Sequence, residues 1–229
     1  MEVFKYAKLN KSPRLMKEHE VARVKWVEKM IDYGACWNSV IFSDEKKWNL
    51  DGPDGLQCYW HDLRKEKLSF FSRQNGGGSV MVWAGIWASG KTQIAFLDGR
   101  QDSACYIWTL SEYLLPSAHL AFGINFKFQH DNASIHRSAE TKKFLAKQNV
   151  RFLDWPAKSP DLNPIENVWG YLTRCVYAEG KQYNSVTKLK AAIIREWSQM
   201  DHAYLTKLVG SMKTRCLKVV KANGCKINY

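Results

Sequence analysis

The sequence predicts a mixed α/β fold: one sheet flanked by helices, with a helical C-terminal part. Three observations predict it. Short β-prone apolar runs at 40–42, 79–87 and 126–130 are each bounded by turn-forming or charged residues. A segment with helical spacing lies between two of these runs, as a crossover would. From residue 165 onward the apolar residues recur only at helical spacing. Strands first, a helix between strands and helices last describe a sheet covered on its faces.

The elements follow in order. Residues 1–13 are polar and end in Ser12-Pro13, which reads as a linker. From 14 to about 33, Leu15, Val21, Val24, Trp26, Val27 and Met30 recur at three- and four-residue steps, an amphipathic helix ended by Gly34. Residues 1–35 are therefore read as a linker and helix leading into a core unit of 36–229. Val40-Ile41-Phe42 forms a buried strand that ends on Ser43-Asp44-Glu45. A second strand is expected at 57–60, then a basic loop or hairpin carrying Arg64, Lys65, Lys67 and Arg73. Gly76-Gly77-Gly78 introduces a strong strand over 79–87, which turns at Ser89-Gly90 into a partner over 92–97. A helix from Asp102 is expected to close at Pro116. The strand over 126–130 ends on Asp131-Asn132, a helix covers 136–148, and a short strand lies at 150–153. After a proline-rich loop, helices are expected near 165–176, 186–199 and 202–222.

Composition narrows the partners. Lys and Arg outnumber Asp and Glu by 34 to 22, a formal charge of +12, which suits a polyanion: nucleic acid or an anionic membrane surface. None of the six cysteines is spaced C-x-x-C, which argues against a zinc ribbon or redox motif and for free thiols in a reducing compartment. The first 30 residues carry many charges and no apolar core, so no secretory signal is read there. No run of 18 apolar residues exists, so no membrane partner is expected.

Three acids share a context. Asp44 and Asp131 each follow a strand run, and Glu166 begins a helix after a proline-bounded loop. Strand ends and helix starts can meet at one sheet edge, and carboxylates from separate elements make a cage for Mg²⁺. Each has an ordinary alternative. Asp44 and Asp131 both suit turns. Asn163, Pro164 and Glu166 fit the N-cap, first and third positions of a capped helix. Glu45, Asp51, Asp54, Asp154 and Asp161 compete for any catalytic role. The residues alone reach as far as a basic α/β domain with a candidate carboxylate metal site.

Four blocks carry a resemblance: Val40 to Gly55 with Ser43-Asp44-Glu45 at its centre, Gly76 to Gly85, Gln129-His130-Asp131-Asn132-Ala133, and Leu153 to Trp169 with Ser159-Pro160-Asp161-Leu162-Asn163-Pro164-Ile165-Glu166-Asn167. Together they resemble the DDE transposases of the mariner superfamily. The third acid is glutamate, with 34 residues between Asp131 and Glu166, which is similar to the Tc-type branch. The resemblance implies a ribonuclease-H-like fold in which Asp44, Asp131 and Glu166 are the catalytic, metal-binding triad for two Mg²⁺ (or Mn²⁺) ions. It implies double-stranded DNA as the partner, at transposon ends and at a TA target. It also implies cleavage followed by strand transfer, and a homodimer on DNA; a DNA substrate then implies the nucleus. Arg64, Lys65, Arg73, His136, Arg137 and Lys158 are the candidate DNA contacts. The other outcome is an inactive or repurposed transposase-derived nucleic-acid-binding protein. Members of the family carry helix-turn-helix modules before the first catalytic strand. Here about 35 residues precede it, too few for two modules, so recognition of DNA ends is expected to lie outside this chain. Glu166 is expected to face the two aspartates and leave the cap to Asn163.

Overall fold

The computed structural model describes residues 15–52 and 78–228. The leader over 1–14, the strand expected at 57–60 and the basic segment with Arg64, Lys65, Lys67 and Arg73 lie outside the described residues.

The chain opens with α1 (Lys17–Met30), passes through a 3-10 segment (Ile31–Ser39) and enters β1 (Val40–Asn49). Three strands follow, β2 (Ser79–Trp87), β3 (Gly90–Lys91) and β4 (Ala95–Leu97). Next come α2 (Ser103–Thr109), a π-helical stretch (Leu110–Leu114), α3 (Leu115–Phe122), β5 (Lys127–Gln129), α4 (Ala139–Lys147) and β6 (Arg151–Phe152). Four helices complete the chain: α5 (Ile165–Val176), α6 (Val186–Ser198), α7 (His202–Gly210) and α8 (Met212–Lys221). The sheet runs β3-β2-β1-β5-β6, with β4 also paired to β2. β1 is antiparallel to β2 and parallel to β5, and β5 is parallel to β6.

Both faces of the sheet are covered, so its strands are buried on alternate sides. Val40, Phe42, Trp48, Val80, Val82 and Ile86 enter one core with α1 and α5 to α8. Ile41, Trp83, Trp87 and Phe128 enter the other with α2, α3 and α4. Even-numbered positions of β1 therefore face α5, and odd-numbered positions face α4.

Several local expectations change: α1 ends at Met30, the helix expected over 202–222 is two, α7 and α8, and two further changes bear on the sheet and its cover. β1 does not stop after Phe42. It runs to Asn49, because the ladder to β2 continues from Phe42–Ile86 to Asn49–Ser79. Charged side chains can sit on a strand whose backbone is paired, so the polar run from Asp44 to Lys47 hid the strand. Asp44 is consequently mid-strand, paired with Ala84. Nor does Pro116 close its helix. The widened π turn just before it absorbs the missing N–H, and helix continues to Phe122. Among the described residues no helix is long and apolar enough to cross a membrane.

A buried polar lock fixes the loop before α5. Arg23 of α1 is fully buried and donates to both carboxylate oxygens of Asp161 at 2.7 and 2.5 Å, to Ser159 Oγ at 2.7 Å and to the Gly224 carbonyl at 2.8 Å. Arg215 of α8 donates to the Asp161 carbonyl at 3.2 Å and to Asn167 Oδ1 at 2.6 Å. Three buried charged residues, Arg23, Asp161 and Arg215, joined by hydrogen bonds hold the turn from Ser159 to Asn167 in one place. Gly224 is obligatory in this lock. Its φ is +83°, and a Cβ there would stand 2.2 Å from the Glu20 carbonyl oxygen.

Candidate active site

Asp44 lies within β1, and Asp131 lies two residues past the end of β5, the strand parallel to β1. The parallel register of β1 and β5 pairs Val40 with Lys127, Ile41 with Phe128 and Phe42 with Gln129. Each aspartate lies two residues beyond that last pair, Asp44 still within β1 and Asp131 in the segment that follows β5.

Glu166 joins Asp44 from above. The Asn163 amide donates to the Ser43 carbonyl at 3.1 Å, and its Oδ1 accepts the Ile165 N–H at 3.3 Å. Asn163 thus takes the first N–H of α5 and ties the helix start to β1, while Pro164, one residue after the expected cap, occupies the N-cap position without a side-chain bond. No described hydrogen bond goes to the Glu166 carboxylate, so the capping-box alternative does not use it. One turn along, Trp169 Nε1 donates to Asp44 Oδ2 at 2.9 Å. Glu166 and Trp169 are three apart on one helix face, so one helix delivers both groups to the same strand.

The electrostatics of the two aspartates differ. Burial raises the Asp44 carboxyl well above the usual carboxylate range, and the charges of Glu166 and then Glu45 push it further. Glu166 is raised too, by burial, against the pull of Lys46 and Lys226. Burial alone would also raise Asp131, but hydrogen bonds from His136 and the Ala133 N–H outweigh it and the carboxyl is lowered. Asp131 Oδ1 takes both bonds, from His136 Nδ1 at 2.6 Å and from Ala133 N at 2.9 Å, and Oδ2 carries no described bond.

His136 spans two acids. Its Nε2 lies 3.4 Å from Glu45 Oε1, close enough for an ion pair though not aligned as a hydrogen bond. Burial would lower its pKa, but the bonds and charges of Asp131 and Glu45 raise it to about 9, so the ring is cationic at neutral pH. Tyr106 packs against it at 4.0 Å between ring centroids. The Tyr106 hydroxyl is 3.0 Å from Nδ1 of His130, whose pKa falls to about 4 through burial and the His136 charge.

The sequence-derived candidates sort as follows. Asp44 and Glu166 are brought together, and Asp131 follows the end of the neighbouring strand β5, bonded to His136. His136, a candidate DNA contact, is 3 % exposed and bonded to Asp131. Arg137 and Lys158 are exposed. Asp161 is excluded as a competitor by its pairing with Arg23. Trp169 and Tyr106 were not singled out; the three-residue step from Glu166 to Trp169 was a signal available in the sequence, whereas Tyr106 had none.

A divalent cation fits this donor set by its chemistry. Three carboxylates are suitable oxygen ligands, and the mutual repulsion of Asp44 and Glu166 is what a cation relieves. The spacing is open: among the described residues no group of three or more His, Cys, Asp or Glu is drawn close enough to hold one ion.

Residues 39–190 match the family model of the DDE superfamily endonucleases. The chain is 42% identical over 222 residues to the Tc3 transposase of Caenorhabditis elegans, covering 97% of this chain and 67% of that protein. Its fold matches a solved Mos1 transposase paired-end complex with left transposon end, with TM-score 0.82 and 20% identity, over 99% of this chain and 69% of the other. A mariner Mos1 paired-end complex with Mg matches with TM-score 0.83 and 18% identity, over 100% and 69% of the two chains. These structural likenesses establish the ribonuclease-H-like fold, and the family match and the Tc3 relationship establish descent. This chain belongs to the DDE superfamily endonucleases, as the catalytic domain of a Tc-type transposase of the mariner superfamily.

Proposed function

We propose that this domain cleaves DNA at transposon ends and joins the freed 3′ end to a target, using Asp44, Asp131 and Glu166 as ligands for two Mg²⁺ (or Mn²⁺) ions. The observation that carries this reading is the tie of the start of α5, with Glu166, to Ser43 and Asp44 of β1, next to the parallel strand β5 that leads into Asp131. The Mos1 complex solved with Mg supports the choice of metal. Bound ions supply a polarised phosphate and an activated nucleophile, water for cleavage and a 3′-hydroxyl for transfer.

The chain's own residues set the geometry. Trp169 holds one oxygen of Asp44 in place. His136 and the Ala133 N–H hold one oxygen of Asp131 and leave the other to face outward. Such outer partners fix the orientation and basicity of ligating groups. The net charge of +12 offsets the phosphate backbone, so affinity for DNA falls steeply with salt. The reading extends to a homodimer on paired DNA ends and to work in the nucleus, where such DNA lies.

The test is a Mg²⁺-dependent nicking and strand-transfer assay with added end-binding modules. Asp44→Asn, Asp131→Asn and Glu166→Gln are each expected to lose at least ~10³-fold in rate. Full activity in any one removes that residue from the triad. An inactive parent protein favours a repurposed DNA-binding copy. Sedimentation on paired DNA ends that shows only monomer removes the dimer.

A further inference from the structure

A cleft of about 640 Å³ opens beside Asp131, between α1, the start of α4 and the segment that follows β6. Asn132 and His136, which flank and support Asp131, form its inner wall. Lys25 and Lys29 line one side and Arg137 and Lys142 another; all four are exposed, and none has an ion-pair partner among the described residues. Lys25 and Lys29 are four apart on α1, so they project from one face of it. Asp154 is the one acid in the lining. Phe152 supplies aromatic surface, 51 % exposed at the end of the edge strand, while Trp155 in the lining is buried in the core.

We propose that this cleft binds unpaired nucleotides of a DNA strand beside the active site. Cations without partners along a concave track suit a phosphate backbone, and an exposed aromatic ring suits the face of a base. A paired duplex offers phosphates but keeps its base faces stacked, so it cannot use Phe152. The volume is that of a small-ligand cleft, too confined to seat a duplex and large enough for nucleotides. Its inner wall is shared with the support of Asp131, so a strand lying there is delivered to the acids. The inference rests on the reading of this chain as a DNA-cutting domain.

The experiment is fluorescence anisotropy in EDTA, where no cleavage occurs. It uses a labelled blunt duplex and the same duplex with a single-stranded extension of roughly six nucleotides. The unmodified chain is expected to bind the extended DNA about tenfold more tightly. Lys25→Glu with Lys29→Glu abolishes that preference and lowers the salt slope on extended DNA by about 2. Phe152→Ala lowers affinity for the extended DNA by roughly tenfold and leaves blunt binding unchanged. Lys207→Glu with Lys213→Glu, equal in charge change but outside the cleft, weakens both DNAs alike and keeps the preference. Equal affinity of the unmodified chain for the two DNAs overturns the cleft, as do equal losses on both from the Lys25 and Lys29 pair or loss of preference in the control pair. Those outcomes leave the cutting reading in place; failure to bind either DNA overturns both.

Discussion

Asp44 and Glu45 are consecutive on β1, yet they belong to opposite halves of the molecule. On the α5 side, Asp44 meets a second carboxylate and an indole N–H, and its negative charge has no cationic neighbour in contact. On the α4 side, Glu45 and Asp131 share the His136 cation. The same strand therefore raises one candidate aspartate's pKa while the neighbouring turn lowers the other's. The α5 side is held from a distance by the Arg23–Asp161 lock, and the α4 side by a histidine in direct contact with its acid. A carboxylate left in repulsion is primed for a cation, whereas a carboxylate with a histidine partner is oriented before any cation arrives.

The largest expected effect breaks the α5 side. Asp161→Ala leaves the Arg23 charge buried and unpaired and should cost roughly 3–5 kcal/mol of stability, read from the denaturant midpoint. A change below 1 kcal/mol, the scale of an exposed ion pair, would mean that the lock does not hold the loop before α5. Next, His136→Gln keeps a donor but removes the cation. Loss of an outer partner of this kind is expected to weaken Mn²⁺ binding, followed by calorimetry, and cleavage by about 10- to 100-fold. Unchanged metal affinity would assign His136 to packing alone.

The smallest effect has the opposite sign. Asp44→Asn should abolish cleavage yet raise the melting temperature in EDTA at neutral pH by a few degrees, about 1 kcal/mol. The direction follows from linkage. The folded pKa of Asp44 is raised, so its contribution is full below the unfolded carboxyl range near pH ~3.9 and is lost as pH rises through the folded value. The difference between Asp44→Asn and the parent should therefore vanish in acid. Equal melting at neutral pH would show that the repulsion with Glu166 is relieved within the metal-free protein.

Much of this was legible in the chain. The runs 79–87 and 126–130 gave their strands through alternation, and the Ser159 to Asn167 block located the start of α5. Asn163 as the residue that takes the first N–H of α5 followed from turn chemistry. The β1 extension through Lys46 and Lys47 did not, because pairing with β2 overrides the poor strand propensity of a charged run. Nor did the continuation of helix past Pro116, because a π turn can spare the bond that proline lacks. His136 was read as a candidate DNA contact because it flanks Asp131 in the chain, and its partner is not legible there, since five residues of separation carries no helix or strand period. A turn folds the ring back onto the acid.

By itself the sequence determined the α/β class and the transposase family and singled out three candidate acids, since hydrophobic period and motif spacing are local properties of the chain. Only the tertiary structure decided which acids share a neighbourhood and with what charge. That depends on Trp169, His136, Tyr106 and Arg23, which reach the site from helices and turns distant in sequence. Burial and pairing of charge are properties of the assembled layers, and no spacing along the chain encodes them.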